Sequence, residues 1–189
     1  MYKKKFILAS GSPRRQQFFK DMEVPFTINV KEVNETYPSD LKEEKITNYL
    51  AELKASAFTD IDENDVIITS DTLVWHQNKA LGKPKNETEA FEMLKELSGN
   101  THKVITSVCF KSNDKIETIF DVTEVTFSTL TDQMIHFYIK NFNPLDKAGA
   151  YGIQDWIGEV GITKINGSYT NVVGLPVAKV YKYLNDNFK

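Results

Sequence analysis

The sequence predicts an α/β fold, and three observations carry that prediction. A lysine-rich start leads through the apolar run at 6–9 into small residues, Pro13 and a helix-like stretch, the order strand, turn, helix. Further along, short apolar runs alternate with segments whose apolar residues recur at helical spacing. Residues 103–110 and 117–127 are rich in β-branched and aromatic side chains, and Ser112, Asn113 and Asp114 between them are a hairpin signal joining two long antiparallel strands.

Composition sets the outer limits. A chain of 189 residues is long enough for one substantial core, so one compact domain or two closely packed lobes is expected. The formal net charge is -3, which argues against bulk attraction to a nucleic-acid polymer or an anionic membrane, so any anion must be bound locally. Cys109 is the single cysteine and lies in an apolar run, which excludes an intrachain disulfide and fits a reducing compartment. No apolar run approaches the roughly 18 residues of a membrane span, and the apolar run at 6–9 is too short for a signal peptide, so the expected location is cytoplasmic.

The first turn is the stretch around which the chain is organised. Ser10, Gly11 and Ser12 allow close backbone approach, Pro13 suits a first helical turn, and the helix N-terminus aims its unpaired N–H groups at an anion. Arg14 and Arg15 add two guanidinium forks, although the same residues also suit an ordinary cap followed by solvated arginines. Residues 24–30 then form a strand beginning at Pro25, and 31–40 a polar connection containing Glu32 and Glu35. Asp40 with Glu43 resembles a capping box opening a long helix, on which Ile46, Tyr49, Leu50, Leu53 and Ala57 share a face. Lys54 borders that stripe, where a lysine commonly extends to water.

The run at 66–68 ends in Thr69, Ser70, Asp71 and Thr72, ahead of a second run at 73–75. A buried strand ending in Asp-Thr puts a carboxylate at the strand's edge, where ligands of α/β sheets bind; a turn-capping aspartate is the alternative. Lys83, between Gly82 and Pro84, suits a phosphate contact or simple solvation. A helix runs from about Asn86 to a stop at Gly99, and another opens at Thr131 and closes over 142–145 with Pro144 as breaker. Residues 146–154 are too glycine-rich for an ordinary helix interior and too patterned for a flexible loop, and the glycines there allow close packing or close ligand approach. Residues 158–165 are expected as a strand, 168–176 as a compact loop, and a last helix starts at Pro176.

Neither a P-loop nor a dinucleotide-binding glycine pattern occurs, and His76, His102 and His136 show no metal-ligand spacing. What remains is Arg14, Arg15, Lys54 and Lys83 set against Glu35 and Asp71. Such a set suits phosphoryl chemistry, in which a protein positions a phosphate chain, neutralises its charge and orients a water.

Several stretches together resemble the Maf family of nucleoside triphosphate pyrophosphatases. They are LASGSPRR at 8–15, Ser-Asp-Thr at 70–72, Gly-Lys-Pro at 82–84, GAYGIQ at 149–154 and GSYTNVVGLP at 167–176, all in the family's order. The resemblance implies a Maf/ITPase-like mixed, twisted sheet flanked by helices, in two lobes with a central cleft, and residues 1–189 as one functional unit. It implies that Asp71 activates water, that Glu35 and Asp71 hold a divalent metal cation, Mg²⁺ or Mn²⁺, and that Ser12, Arg15, Lys54 and Lys83 grip the triphosphate. Arg14, Thr72 and Gln154 would read the base. The implied reaction is attack of water at the α-phosphorus, giving monophosphate and pyrophosphate, and homodimerisation is a further family-level expectation.

Pro-Arg-Arg and Gly-Ile-Gln are similar to the branch acting on dTTP and UTP, whereas the branch acting on 7-methyl-GTP carries tryptophan at the position of Arg14 and lacks Gln154. An arginine and an amide suit the carbonyl and N–H groups of a thymine or uracil edge. Modified pyrimidine nucleotides stay open as substrates. Ser70 for the usual alanine and Phe18-Phe19 for Leu-Leu are the departures from pattern. A nucleotide-binding regulator of septum formation with little turnover is the reading from another class.

Overall fold

In the computed structural model, which describes residues 2–189, the parallel heart of the sheet is the short strand β1 (Lys5–Leu8). It pairs in parallel with β2 (Phe26–Ile28) on one side and with β3 (Asp65–His76) on the other. The other strands are β4 (Lys79–Leu81), β5 (Thr101–Lys111), β6 (Ile116–Phe127) and β7 (Ile162–Asn166). Their order is β2-β1-β3-β5-β6-β7, with β4 antiparallel to β3 and β7 antiparallel to β6, so the sheet is mixed, as the resemblance implies. Among the described residues no helix is long and apolar enough to cross a membrane.

The chain divides into two compact units. The first comprises Met1–Asp71, Thr106–Asp121 and Gly174–Lys189. It contains α1 (Pro13–Asp21), α2 (Glu44–Ser56) and α7 (Val177–Phe188), around a core that includes Phe6, Leu8, Phe19, Val66, Ile68, Val180 and Leu184. Cys109 is wholly buried in this unit, and burial pushes its thiol up to about 11, so it is an inert core group. The second unit comprises Thr72–Ile105 and Val122–Val173. It holds α3 (Glu87–Leu97), α4 (Asp132–Phe142), α5 (Trp156–Gly161) and α6 (Tyr169–Val173) over a core that includes Leu94, Leu97, Phe127, Ile135, Tyr138 and Tyr151.

Local signals place most element ends. Asn86 and Thr131 cap α3 and α4 by accepting from the N–H groups of Glu89 and Met134, and Gly99 beyond α3 takes a φ of 71°, which glycine adopts freely. Five expectations are corrected. The strand at 24–30 shrinks to β2, with Ile28 and Val30 half-exposed. The Asp40–Glu43 capping box does not form: Glu43 has a φ of 50° and makes no side-chain cap, and α2 starts at Glu44 from turns closed by the Lys42 and Glu43 carbonyls.

The two apolar runs at 66–68 and 73–75 are one strand, β3, so Asp71 lies inside it rather than at its end. Between the runs Thr69, Ser70 and Asp71 are buried, and the side chains of Thr69 and Asp71 find hydrogen-bond partners, which lets the strand continue through them. The expected strand at 158–165 begins as α5, its first turn closed by the Asp155 carbonyl, and becomes extended only at Ile162. Within the loop at 168–176, Ser168 opens the short helix α6 by accepting from the N–H groups of Val172 and Asn171.

Candidate active site

The alternation of β3 places Asp71 on the same face as Thr69, two residues before it. Thr69 Oγ1 donates to the Ala51 carbonyl on α2 at 2.6 Å. One helical turn further, Lys54 Nζ donates to Asp71 Oδ1, also at 2.6 Å. Strand and helix thus run in register, 69 against 51 and 71 against 54. Thr47, a turn earlier on α2, meets Ser107 of β5 at 2.6 Å, so the helix is pinned along the length that delivers Lys54.

Lys54 Nζ also lies 3.2 Å from Glu35 Oε2, giving one ammonium between two carboxylates. Glu35 is about half exposed, whereas Asp71 is nearly enclosed at 9% exposure. Burial pushes the Asp71 carboxyl above the ordinary aspartate range, while the Lys54 charge and hydrogen bond, and then Arg15, pull it back down. The result is a carboxylate with enhanced basicity that stays within reach of cations. Parallel pairing of β1 with β3 ends at Leu8 and Ile68, so Asp71 stands beyond the carboxyl end of that pairing, on the side where α/β sheets bind ligands.

The first turn closes around the same strand. Ser12 Oγ caps α1 by accepting from the Arg15 N–H at 3.5 Å, and Ser10 Oγ accepts from the Ser12 N–H at 3.3 Å. Arg15 Nη1 donates to the Ser70 carbonyl at 3.0 Å and Nε to the Gly174 carbonyl at 2.9 Å. Its guanidinium therefore ties the residue before Asp71 to the start of the last segment; burial lowers its pKa and the Asp71 charge raises it again. Lys54 Nζ reaches the Ser70 carbonyl as well, at 3.5 Å. Arg14 is half-buried on α1.

The structure brings Ser12, Arg15, Glu35, Lys54 and Asp71 into one bonded cluster within the first unit, which also contains Arg14. Thr72, Lys83 and Gln154 belong to the second unit. There Lys83 is exposed just after Gly82, whose carbonyl accepts from the Gly149 N–H at 3.0 Å, and Gln154 is exposed between Ile153 and Asp155. Sequence reasoning missed the Ser70 and Gly174 carbonyls as partners of Arg15, and no sequence signal distinguishes one carbonyl from another. Glu35 and Asp71 are oxygen donors suited to a hard divalent cation, although among the described residues no cluster of three or more metal-ligating side chains occurs.

Comparison with known proteins decides the family. The description Maf-like protein matches residues 5–187. The chain belongs to the Maf family. A relative from Flavobacterium johnsoniae, a dTTP/UTP pyrophosphatase, is 62% identical over 96% of this chain and 94% of its own length. Proteins of that same name from Flavobacterium psychrophilum and Christiangramia forsetii are 60% and 54% identical, each over 95% of this chain and over 93% and 92% of their own lengths.

Solved Ham1 proteins from Staphylococcus aureus and Coxiella burnetii match with TM-scores of 0.55 and 0.56, each covering 97% of this chain and 99% of theirs. At 13% and 12% identity these two show the fold alone. The Maf membership agrees with the resemblance carried by the five motifs, and the cluster around Asp71 draws on two of them, LASGSPRR and Ser-Asp-Thr, with Gly174 from a third.

Proposed function

We propose that this Maf chain hydrolyses dTTP and UTP to the monophosphate and pyrophosphate by attack of water at the α-phosphorus. The observation that carries the chemistry is the buried Asp71 held by Lys54 with its pKa raised, since a general base gains efficiency as its pKa approaches the working pH. The substrate assignment follows the names of the close relatives.

Asp71 accepts the proton of the attacking water. Lys54, Lys83 and Arg15, with the first turn of α1 capped by Ser12, balance the charge of the triphosphate. Arg14, Thr72 and Gln154 read the pyrimidine edge. Glu35 and Asp71 fit a divalent cation, Mg²⁺ or Mn²⁺, which when bound supplies charge neutralisation on phosphate oxygens and an acidified water. A nucleotide substrate and a single buried thiol suit the cytoplasm.

The test is pyrophosphate release from a panel of ordinary and modified nucleoside triphosphates with Mg²⁺ or Mn²⁺, run beside the Asp71→Asn protein. Turnover of dTTP and UTP that is lost in the variant supports the assignment. A methyl group is worth only about 1–3 kcal/mol in a pocket, whereas unmatched buried hydrogen bonds reject by roughly 10⁴-fold, so dTTP and UTP should differ little and purines should fail. Comparable turnover of ATP or GTP overturns the specificity. Nucleotide binding without any turnover favours the septum regulator instead.

A further inference from the structure

The second unit contains a buried clamp around Gln154 that the phosphate chemistry does not use. Tyr138 on α4 is wholly shielded from solvent. Its hydroxyl donates to Asp155 Oδ2 at 2.6 Å and accepts from the Gly152 N–H at 3.0 Å. The Asp155 N–H in turn donates to the Gly152 carbonyl at 3.0 Å, and the Asp155 carbonyl opens α5 by accepting from the Gly158 N–H at 2.9 Å. One phenol therefore holds the residues on both sides of the Ile153-Gln154 pair.

Gly152 adds a steric element. A Cβ built there would lie 2.6 Å from Asp155 Oδ2 and 2.8 Å from Gln154 Nε2, so a side chain at 152 would displace both the carboxylate and the amide from the positions they hold. Asp155 also receives Lys147 at 3.7 Å, which supports the carboxylate from the other direction.

An amide has a donor end and an acceptor end of nearly the same shape. Turned one way it matches the N3–H and O4 edge of uracil or thymine; turned by half a rotation it matches the N3 and amino edge of cytosine. An exposed glutamine free to rotate would serve both bases, so discrimination depends on what holds the amide in one sense.

We infer that Tyr138, through Asp155 and Gly152, positions the Gln154 amide and thereby sets the preference for uracil and thymine nucleotides over cytosine nucleotides. Tyr138, Asp155 and Gly152 are positioning residues, and Gln154 is the group that touches the base. The inference rests on the proposed role of Gln154.

The experiment compares kcat/KM for UTP and CTP in the wild type, Tyr138→Phe, Gly152→Ala, Gln154→Ala and the Tyr138→Phe/Gln154→Ala double variant, with thermal melting as a folding control. Tyr138→Phe keeps the ring in the core and removes only the hydroxyl, so it stays informative if Gly152→Ala does not fold. The expected result is a fall of the UTP/CTP ratio by roughly 10- to 100-fold in Gln154→Ala and a fall in the same direction in Tyr138→Phe. In the double variant the ratio is no lower than in Gln154→Ala alone, because both changes disable one device.

If Gln154→Ala lowers the ratio and Tyr138→Phe slows both substrates equally, the base-reading role stands and the positioning role is overturned. Additive losses in the double variant also overturn it. An unchanged ratio in Gln154→Ala overturns the reading of Gln154 and the positioning inference together.

Discussion

Asp71 is held between burial, which raises its pKa, and Lys54, which lowers it. The acid limb of the kcat/KM profile should therefore inflect above the ordinary aspartate value of about 3.9. Replacing Lys54 by Met removes the lowering influence, so the inflection moves to higher pH while turnover falls. A folded-state pKa above the unfolded value means that the ionised carboxylate costs stability at neutral pH. Asp71→Asn is accordingly expected to melt at a higher temperature while losing roughly 10²-fold or more in kcat, a trade measurable by calorimetry beside a pyrophosphate assay. Next to it, Ser70 Oγ is buried and has no hydrogen-bond partner among the described residues. Ser70→Ala should stabilise the protein by about 1 kcal/mol in urea unfolding and leave turnover intact.

At the scale of elements, the site depends on how α1 and α2 meet β3. Helix α2 is fixed through Thr47, Thr69 and Lys54, and α1 through the two carbonyls that Arg15 joins. A lysine in place of Arg15 has a single ammonium and cannot reproduce a planar fork between carbonyls on separate segments. Arg15→Lys is expected to cost about 1–3 kcal/mol of stability and to lower kcat/KM for every nucleotide alike, since it disturbs the strand bearing Asp71 rather than the base edge. Caps were legible at this scale: Ser12, Asn86 and Thr131 each begin a helix by accepting from an N–H three residues on. The starts of α2 and α5 were not, because backbone carbonyls at turns close their first turns and carbonyls carry no sequence signature.

For the molecule as a whole, the two units should differ in their response to acid. All three histidines belong to the second unit. His102 is buried there with its Nε2 2.7 Å from the Tyr151 hydroxyl, and burial, with His76 nearby, lowers its pKa to about 3. In the unfolded chain it titrates near 6.5, so the stability it confers is complete above that pH and is lost as pH falls from about 6.5 towards about 3. The loss is at most about 1.4 kcal/mol per pH unit. Asp71 in the first unit works in the opposite sense. Hydrogen exchange between pH 6 and 4 should therefore show amides of the second unit losing protection before those of the first. The double variant His102→Phe/Tyr151→Phe, which removes the imidazole without orphaning the hydroxyl, should flatten that dependence.

The sequence by itself determined the α/β class, the strand–turn–helix opening, most helix starts and the set of cations and carboxylates, because capping, periodicity and small-residue turns act within a few residues. It also supported the family, whose motifs are contiguous stretches. Only the tertiary structure decided that Asp71 lies within a continuous strand, that Arg15 bridges Ser70 and Gly174, and that Tyr138 clamps the turn bearing Gln154. Those outcomes join groups 55 and 159 residues apart in the case of Arg15, and 14 and 17 apart in the case of Tyr138. Burial, which sets the basicity of Asp71 and the neutrality of His102, likewise arises only when distant segments exclude water together.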